Sequence, residues 1–122
     1  MPISKEIKHI YEPNPLACGQ AAISMATGLE VEEIIKLCGT ERETDLKTMK
    51  RVFSILGVAV VGDKKPFTKK EDLPNVALLS LETPKCWHWS LYANGRFYDP
   101  EYGEIAEIPP SNRKYFWELK DL

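Results

Sequence analysis

Cys18, His88 and Asp99 are the residues of this chain whose types fit a single piece of chemistry. A cysteine is a strong nucleophile once ionised, a histidine carries a proton near neutral pH, and an aspartate can orient an imidazole and steady its charge. Together they make the nucleophile, acid–base group and orienting group of acyl transfer through a thioester. The three lie far apart in the chain, so the elements that carry them decide whether they meet.

The stretch WHWSLYANGRFYDP, residues 87–100, carries two of them. Asn94-Gly95 between alternating runs is the signature of a type I′ hairpin with a two-residue loop. That loop sets Ala93 opposite Arg96, Tyr92 opposite Phe97, Leu91 opposite Tyr98 and Ser90 opposite Asp99. Side chains alternate along a strand and directly opposed residues share a face. His88, Ser90, Tyr92, Phe97 and Asp99 are therefore predicted on one side of the sheet, and Trp87, Trp89, Leu91 and Tyr98 on the other. His88 and Asp99 become diagonal neighbours about 7–8 Å apart at the backbone, within reach of polar side chains. The carboxylate is expected to accept from the imidazole Nδ1–H, with Pro100 ending the strand just beyond. The tryptophans are expected in the core, away from the chemistry except at the sheet edge. A three-residue turn would shift the register and carry Asp99 to the wrong face.

The nucleophile is chosen among three cysteines. Cys38 closes an apolar helix and reads as a buried, inert thiol. Cys86 follows Pro84-Lys85 at the entrance of the histidine strand and reads as a bystander. Cys18 falls in the first turn of a helix, where unpaired N–H groups and the helix dipole favour an anion. Gly19, Ala21 and Ala22 are small enough to let another layer approach.

Around these residues the first half of the chain reads as helices and the second as strands. Asn14 is expected to cap a helix with Pro15 in its first position, Cys18, Ala21, Ala22, Met25 and Leu29 on one face, and Gly28 as its stop. A second helix is predicted over Val31 to Cys38, stopped by Gly39. A third is capped by Thr44 or Asp45, buries Leu46, Met49, Val52, Phe53 and Leu56, and stops at Gly57. Strands are predicted over Val58 to Val61, Val76 to Leu81, His88 to Ala93, Arg96 to Asp99 and Glu104 to Ile108, the second buried on both faces. Lys64 to Pro74 reads as a polar loop, and the C-terminal YFWEL as a segment packing back on the sheet. The expected fold class is α+β, helices followed by an antiparallel sheet, in a single domain over residues 1–122.

Composition narrows the function classes. The chain is 43% hydrophobic and 28% charged with a net charge of −2, which disfavours a nucleic-acid binder. The pairs Lys64-Lys65 and Lys69-Lys70 read as a solvated loop. No apolar run approaches the ~18 residues of a membrane span, and MPISKEIKHIYE lacks the apolar stretch of a signal peptide, so a cytoplasmic protein is expected. Three cysteines without a Cys-x-x-Cys pair fit neither a disulfide framework nor a zinc knuckle, and no cofactor or metal is expected.

The stretches ACGQAAISMATGLEVEEIIKLCG, DLKTMKRVFSILGV and HWSLYANGRFYDP together resemble the papain-like cysteine peptidases of the bacteriocin-leader-processing type, and especially their small stand-alone bacterial and phage relatives. The resemblance spans roughly residues 11 to 103. It implies a papain-like layout, with Cys18 as nucleophile, His88 as general base and acid and Asp99 as the orienting residue. Peptide, isopeptide and small-molecule amides all fit this chemistry; a chain without large insertions is expected to have a short, open cleft, which favours a flexible peptide or a protein terminus. The family usually places a Gln about six residues before the Cys to bind the oxyanion; this chain has Tyr11-Glu12 there. An ionised Glu12 would repel a developing negative charge. Asn14 is the chemically better candidate, since its amide can donate, although it lies closer in sequence and is expected to cap the helix. Gln20 lies on the wrong side of the cysteine for that role.

Three rival readings remain at this level. One is a catalytically weak or inactive papain-like scaffold that binds a peptide or protein, since fold does not dictate function. A second is a zinc site built from Cys18, Cys86, His88 and Asp99, with acceptable ligand types but without the familiar short spacing. The third is a His88–Asp99 hydrogen bond that only staples the hairpin. His9 reads as a surface residue.

Overall fold

The computed structural model describes residues 3–122; of the N-terminal stretch, Met1 and Pro2 lie outside the described residues. Helices α1 (Cys18–Thr27), α2 (Val31–Cys38) and α3 (Leu46–Ile55) come first. Strands β1 (Val58–Pro66), β2 (Val76–Glu82), β3 (Trp87–Ala93), β4 (Arg96–Asp99), β5 (Gly103–Ile105) and β6 (Lys114–Asp121) follow. They form one antiparallel sheet in the order β1-β6-β2-β3-β4-β5.

The helix ends follow local chemistry. Gly28 and Gly39 stop α1 and α2 in the left-handed conformation, at φ 80° and 78°. Asp45 caps α3 by accepting from the Thr48 N–H at 2.8 Å, which satisfies one of the free donors of the first turn. The start of α1 differs from the sequence expectation. Asn14 and Pro15 form a separate turn, in which the Asn14 side chain accepts from the Leu16 N–H at 2.8 Å, and the helix begins at Cys18 with Ala17 before it. An asparagine that bonds two residues ahead makes a local turn at least as readily as a helix cap. Leu29, assigned to the helix face by periodicity, lies beyond the Gly28 stop and is exposed.

The sheet also departs from expectation at its outer half. β1 continues to Pro66 through an irregularity between Val61 and Lys65, so part of the polar stretch is strand rather than loop. The C-terminal YFWEL lies within β6, an interior strand between β1 and β2 rather than a cover packed on the sheet. Its pairing with β2 joins residues nearly forty positions apart, which no local pattern announces. β5 is shorter than predicted, ending at Ile105.

Two cores lie on opposite faces. The helices cover one face: Ala22, Met25, Ile34, Met49 and Phe53 pack on Leu78, Leu91, Trp117 and Leu119. The other face buries Ala77, Leu79, Leu81, Tyr92 and Phe97 beneath Phe67, Leu73 and Ile108. Both faces of β2 are thus apolar, as its continuous hydrophobic run requires. A fully buried Leu or Phe contributes about 1.5–3 kcal/mol relative to exposure, so both layers hold the central strands in place.

Candidate active site

The hairpin has the register that Asn94-Gly95 dictates. Asn94 and Gly95 both take positive φ, 50° and 92°, and the ladder runs Ala93↔Arg96, Tyr92↔Phe97 and Leu91↔Tyr98. Beyond Leu91↔Tyr98 the two strands no longer pair. β4 turns at Asp99 to meet Gly103 of β5. The parting strands expose the flank of β3 at Trp89, and the first turn of α1 fills that gap: the Trp89 backbone N–H donates to Cys18 Sγ at 3.4 Å.

His88 stands between Cys18 and Asp99. Its Nε2–H donates to Asp99 Oδ1 at 2.9 Å, with both side chains buried. The expected bond from Nδ1 is therefore corrected to Nε2, because the ring enters from the neighbouring strand with that edge toward the carboxylate. Nδ1 is left for the cysteine. Burial is the largest influence on His88 and disfavours its charge, but it is outweighed by the Asp99 hydrogen bond, a hydrogen bond with Cys18 and the charges of both, which raise its pKa to about 10.

Asp99 is fully saturated. Oδ1 accepts from His88, from the Glu101 N–H at 2.9 Å and from the Tyr102 N–H at 3.0 Å, while Oδ2 accepts from Ser90 Oγ at 2.7 Å. Burial favours its protonated form, but the His88 bond and charge, Ser90 and the Glu101 N–H hold its pKa below the ordinary carboxylate value. The Asp99 carbonyl in turn accepts from His9 Nε2 at 2.7 Å. His9 is thus part-buried and tied to the site, not a free surface residue.

The cleft beside Cys18 has a volume of about 330 Å³ and is lined by Pro15, Leu16, Glu43, Thr44, Ser80, Cys86, Trp87, His88 and Trp89. The tryptophan side of the sheet is the side on which the helices and this cleft lie, so both tryptophans border the site. Trp89 is anchored by its Nε1–H to the Thr44 carbonyl at 2.9 Å and packs on Trp117. Trp87 is exposed, against the expectation of core packing, and lies between Tyr115 and Arg113. Cys86 is exposed and shares the cleft, whereas Cys38 is buried, which pushes its thiol pKa up.

Two further residues position the site. Gly19 lies where a Cβ would run into Thr44 Oγ1 and come within 3.0 Å of Met49 Sδ and Trp89 Cδ1, so only glycine allows this approach. Gln20, fully buried, donates through Nε2 to the carbonyls of Thr40 and Arg42, both at 2.8 Å, and so holds the α2–α3 loop that forms one wall of the cleft. A buried Gln directly after Cys-Gly was the available signal for that task.

The two oxyanion candidates have different surroundings. Asn14 spends its amide on the Glu41 carbonyl, at 3.1 Å, and its oxygen on Leu16. Glu12 is held by its backbone N–H to the Pro100 carbonyl at 2.9 Å, and its Oε1 is buried without a hydrogen-bond partner among the described residues. Nor do three His, Cys, Asp or Glu side chains converge to hold a metal among the described residues. Cys18 and Asp99 flank the imidazole in series, so they do not surround a common point. Among the described residues no helix is long and apolar enough to cross a membrane.

The three-helix, six-strand α+β arrangement, with the cysteine helix against an antiparallel sheet that carries the histidine and aspartate, is the papain-like peptidase fold. The chain resembles a solved structure of a double-glycine-motif protease from an AMS/PCAT transporter in complex with a leader peptide, at a TM-score of 0.65 and 14% identity, over 96% of this chain and 93% of that one. No family model matches the sequence. No curated protein matches it either.

Proposed function

We propose that the protein is a cysteine-dependent acyl-transfer enzyme, a peptidase acting on a peptide or isopeptide amide, with Cys18 as nucleophile, His88 as acid and base and Asp99 as the orienting residue. The observation that carries this reading is the buried series Cys18–His88–Asp99, in which the imidazole has one nitrogen on the carboxylate and the other free for the thiol. A histidine that keeps its proton to about 10 is able to hold the proton that Cys18 gives up. The Trp89 N–H at the sulfur adds a donor to the resulting thiolate.

The sulfur then attacks the amide carbon, and the carbonyl electron pair moves to oxygen. The Cys18 N–H, first in the helix and without a partner there, faces that charge. Collapse breaks the C–N bond, and His88 protonates the departing amine. Water, its proton taken by His88, cleaves the thioester and restores the thiolate. The apolar cleft suits an extended chain segment, and the leader peptide in the structural neighbour is in keeping with a peptide substrate.

The test is the rate of iodoacetamide alkylation of each cysteine against pH, read by mass spectrometry, in the wild type and in His88→Ala. Cys86 is exposed and Cys18 is 6% exposed, so access alone would make Cys86 the faster. The reading expects Cys18 to react faster than Cys86, to stay reactive below about pH 6, and to lose both properties without His88. If Cys18 lags behind Cys86 in both proteins, the scaffold is a binding module and not an enzyme.

A further inference from the structure

Glu12 is a part-buried acidic side chain beside the site that the mechanism above leaves unused. Its backbone is anchored to the carbonyl that follows Asp99, through the 2.9 Å bond to Pro100. That anchor puts the side chain among the charged groups of the site, and Oε1 is enclosed with nothing to bond among the described residues. The groups facing it are His88 from β3, Asp99 from β4 and Glu101 from the turn that follows. Glu101 has Lys85 near it at 4.0 Å, on an exposed side chain. Cys18 lies across the imidazole. Of the groups that act on Glu12, one cation, His88, opposes two carboxylates, Asp99 and Glu101, the latter beside the exposed Lys85.

An ionised carboxylate with an enclosed, unbonded oxygen is costly, and the remedy open to it is to keep its proton. A neutral carboxyl in that place has an O–H to donate, and no acceptor in the described protein takes it. The acceptor that would complete the site is an oxygen that becomes negative beside Cys18 during reaction. Asn14, the other side chain able to serve, already has its amide on Glu41.

We propose that Glu12, as a neutral carboxylic acid, is the side-chain donor to the oxyanion formed on Cys18 attack, so that acyl transfer weakens when Glu12 ionises. The proposal rests on the cysteine-peptidase reading above. Burial, the largest influence, raises the Glu12 pKa; the His88 charge lowers it, and Glu101 and Asp99 raise it again. The direction agrees with an acid that outlasts its ordinary range.

Two reagents separate the donor from the nucleophile. Iodoacetamide alkylates the thiolate by displacement and forms no oxyanion. p-Nitrophenyl acetate acylates it through one: the S–C bond forms, the carbonyl pair moves to oxygen, and collapse expels p-nitrophenolate to leave acetyl-Cys18. The ratio of acylation to alkylation at Cys18, read by mass spectrometry, therefore reports the oxyanion site alone. In the wild type this ratio should fall as pH is raised beyond the ordinary glutamate range and Glu12 loses its proton. Glu12→Gln, which donates at every pH, should hold the ratio level over the same rise. Glu12→Ala should lower it about 10²-fold at the acid end while alkylation stays fast.

A Glu12→Gln profile that follows the wild type overturns the proposal, as does a Glu12→Ala ratio that is unchanged. If Glu12→Ala loses fast alkylation because the site no longer assembles, the Glu12→Gln profile decides. Slow wild-type alkylation of Cys18 would instead defeat the enzyme reading itself, and the role of Glu12 with it.

Discussion

Asp99 and Glu12 are two acidic side chains near the same histidine, and their surroundings are opposite. Asp99 is fully buried yet accepts four hydrogen bonds, from His88, Ser90, Glu101 and Tyr102. Glu12 is only partly buried as a residue, yet one of its oxygens is enclosed with no partner among the described residues. The first is held in its charged form and the second is pushed toward its neutral form. Burial pushes both toward the neutral form; at Asp99 the His88 bond and charge and the other donors reverse it, and at Glu12 burial prevails. Environments that push two acids apart allow one to balance an imidazolium while the other donates a proton-bearing hydrogen bond.

Truncation is the most direct way to break this comparison. Asp99→Ala strands His88, the Ser90 hydroxyl and two backbone N–H groups, and should destabilise the fold by about 3–5 kcal/mol in urea unfolding. Glu12→Ala removes a group that the fold does not satisfy, and its unfolding free energy should stay within about 0.5 kcal/mol of the wild type or rise. Equal losses from the two substitutions would show that Glu12 has a partner in solution.

A pH series sharpens the same contrast. The His88 pKa is raised from its ordinary 6.5 to about 10, so its contribution to stability is complete below 6.5 and lost as pH rises through 10. The Asp99 pKa is lowered from 3.8, so its contribution is present above that value and lost as pH falls through the folded one. The stability gap between wild type and His88→Gln should therefore narrow from pH 6.5 to pH 10. A gap that stays constant across that window would mean that His88 is neutral in the native protein.

The smallest of these effects tests how the cysteine reaches the histidine. Gly19→Ala forces Thr44, Met49 or Trp89 to shift, at a cost of about 1–3 kcal/mol. Because Trp89 also donates to Cys18, the variant should slow iodoacetamide alkylation of Cys18 while leaving Cys86 unchanged. Unaltered Cys18 reactivity would mean that the close approach of α1 to β3 serves packing only.

Much of this site was legible because it depends on short-range rules. The Asn94-Gly95 turn and the two-residue period place His88, Ser90 and Asp99 on one face without reference to the rest of the molecule. The Cys18 helix, its Gly28 stop and the apolar face of α3 follow from local spacing in the same way. The misreadings fall where a local signal has two outcomes. Asn14 makes a turn as readily as a cap, and an aromatic C-terminus packs equally well as a cover or as an interior strand.

The sequence by itself therefore determined which residues are candidates for the site, the hairpin register and the order of helices before strands, since each is set by neighbours within a few positions. Only the tertiary structure decided that β6 enters the sheet beside β2, that the tryptophan face borders the cleft, and that Nε2 rather than Nδ1 meets Asp99. It alone also decided that His9 grips the Asp99 carbonyl and that one Glu12 oxygen is enclosed without a partner among the described residues. These features join segments tens of residues apart, and the protonation of a carboxyl depends on which distant donors arrive beside it.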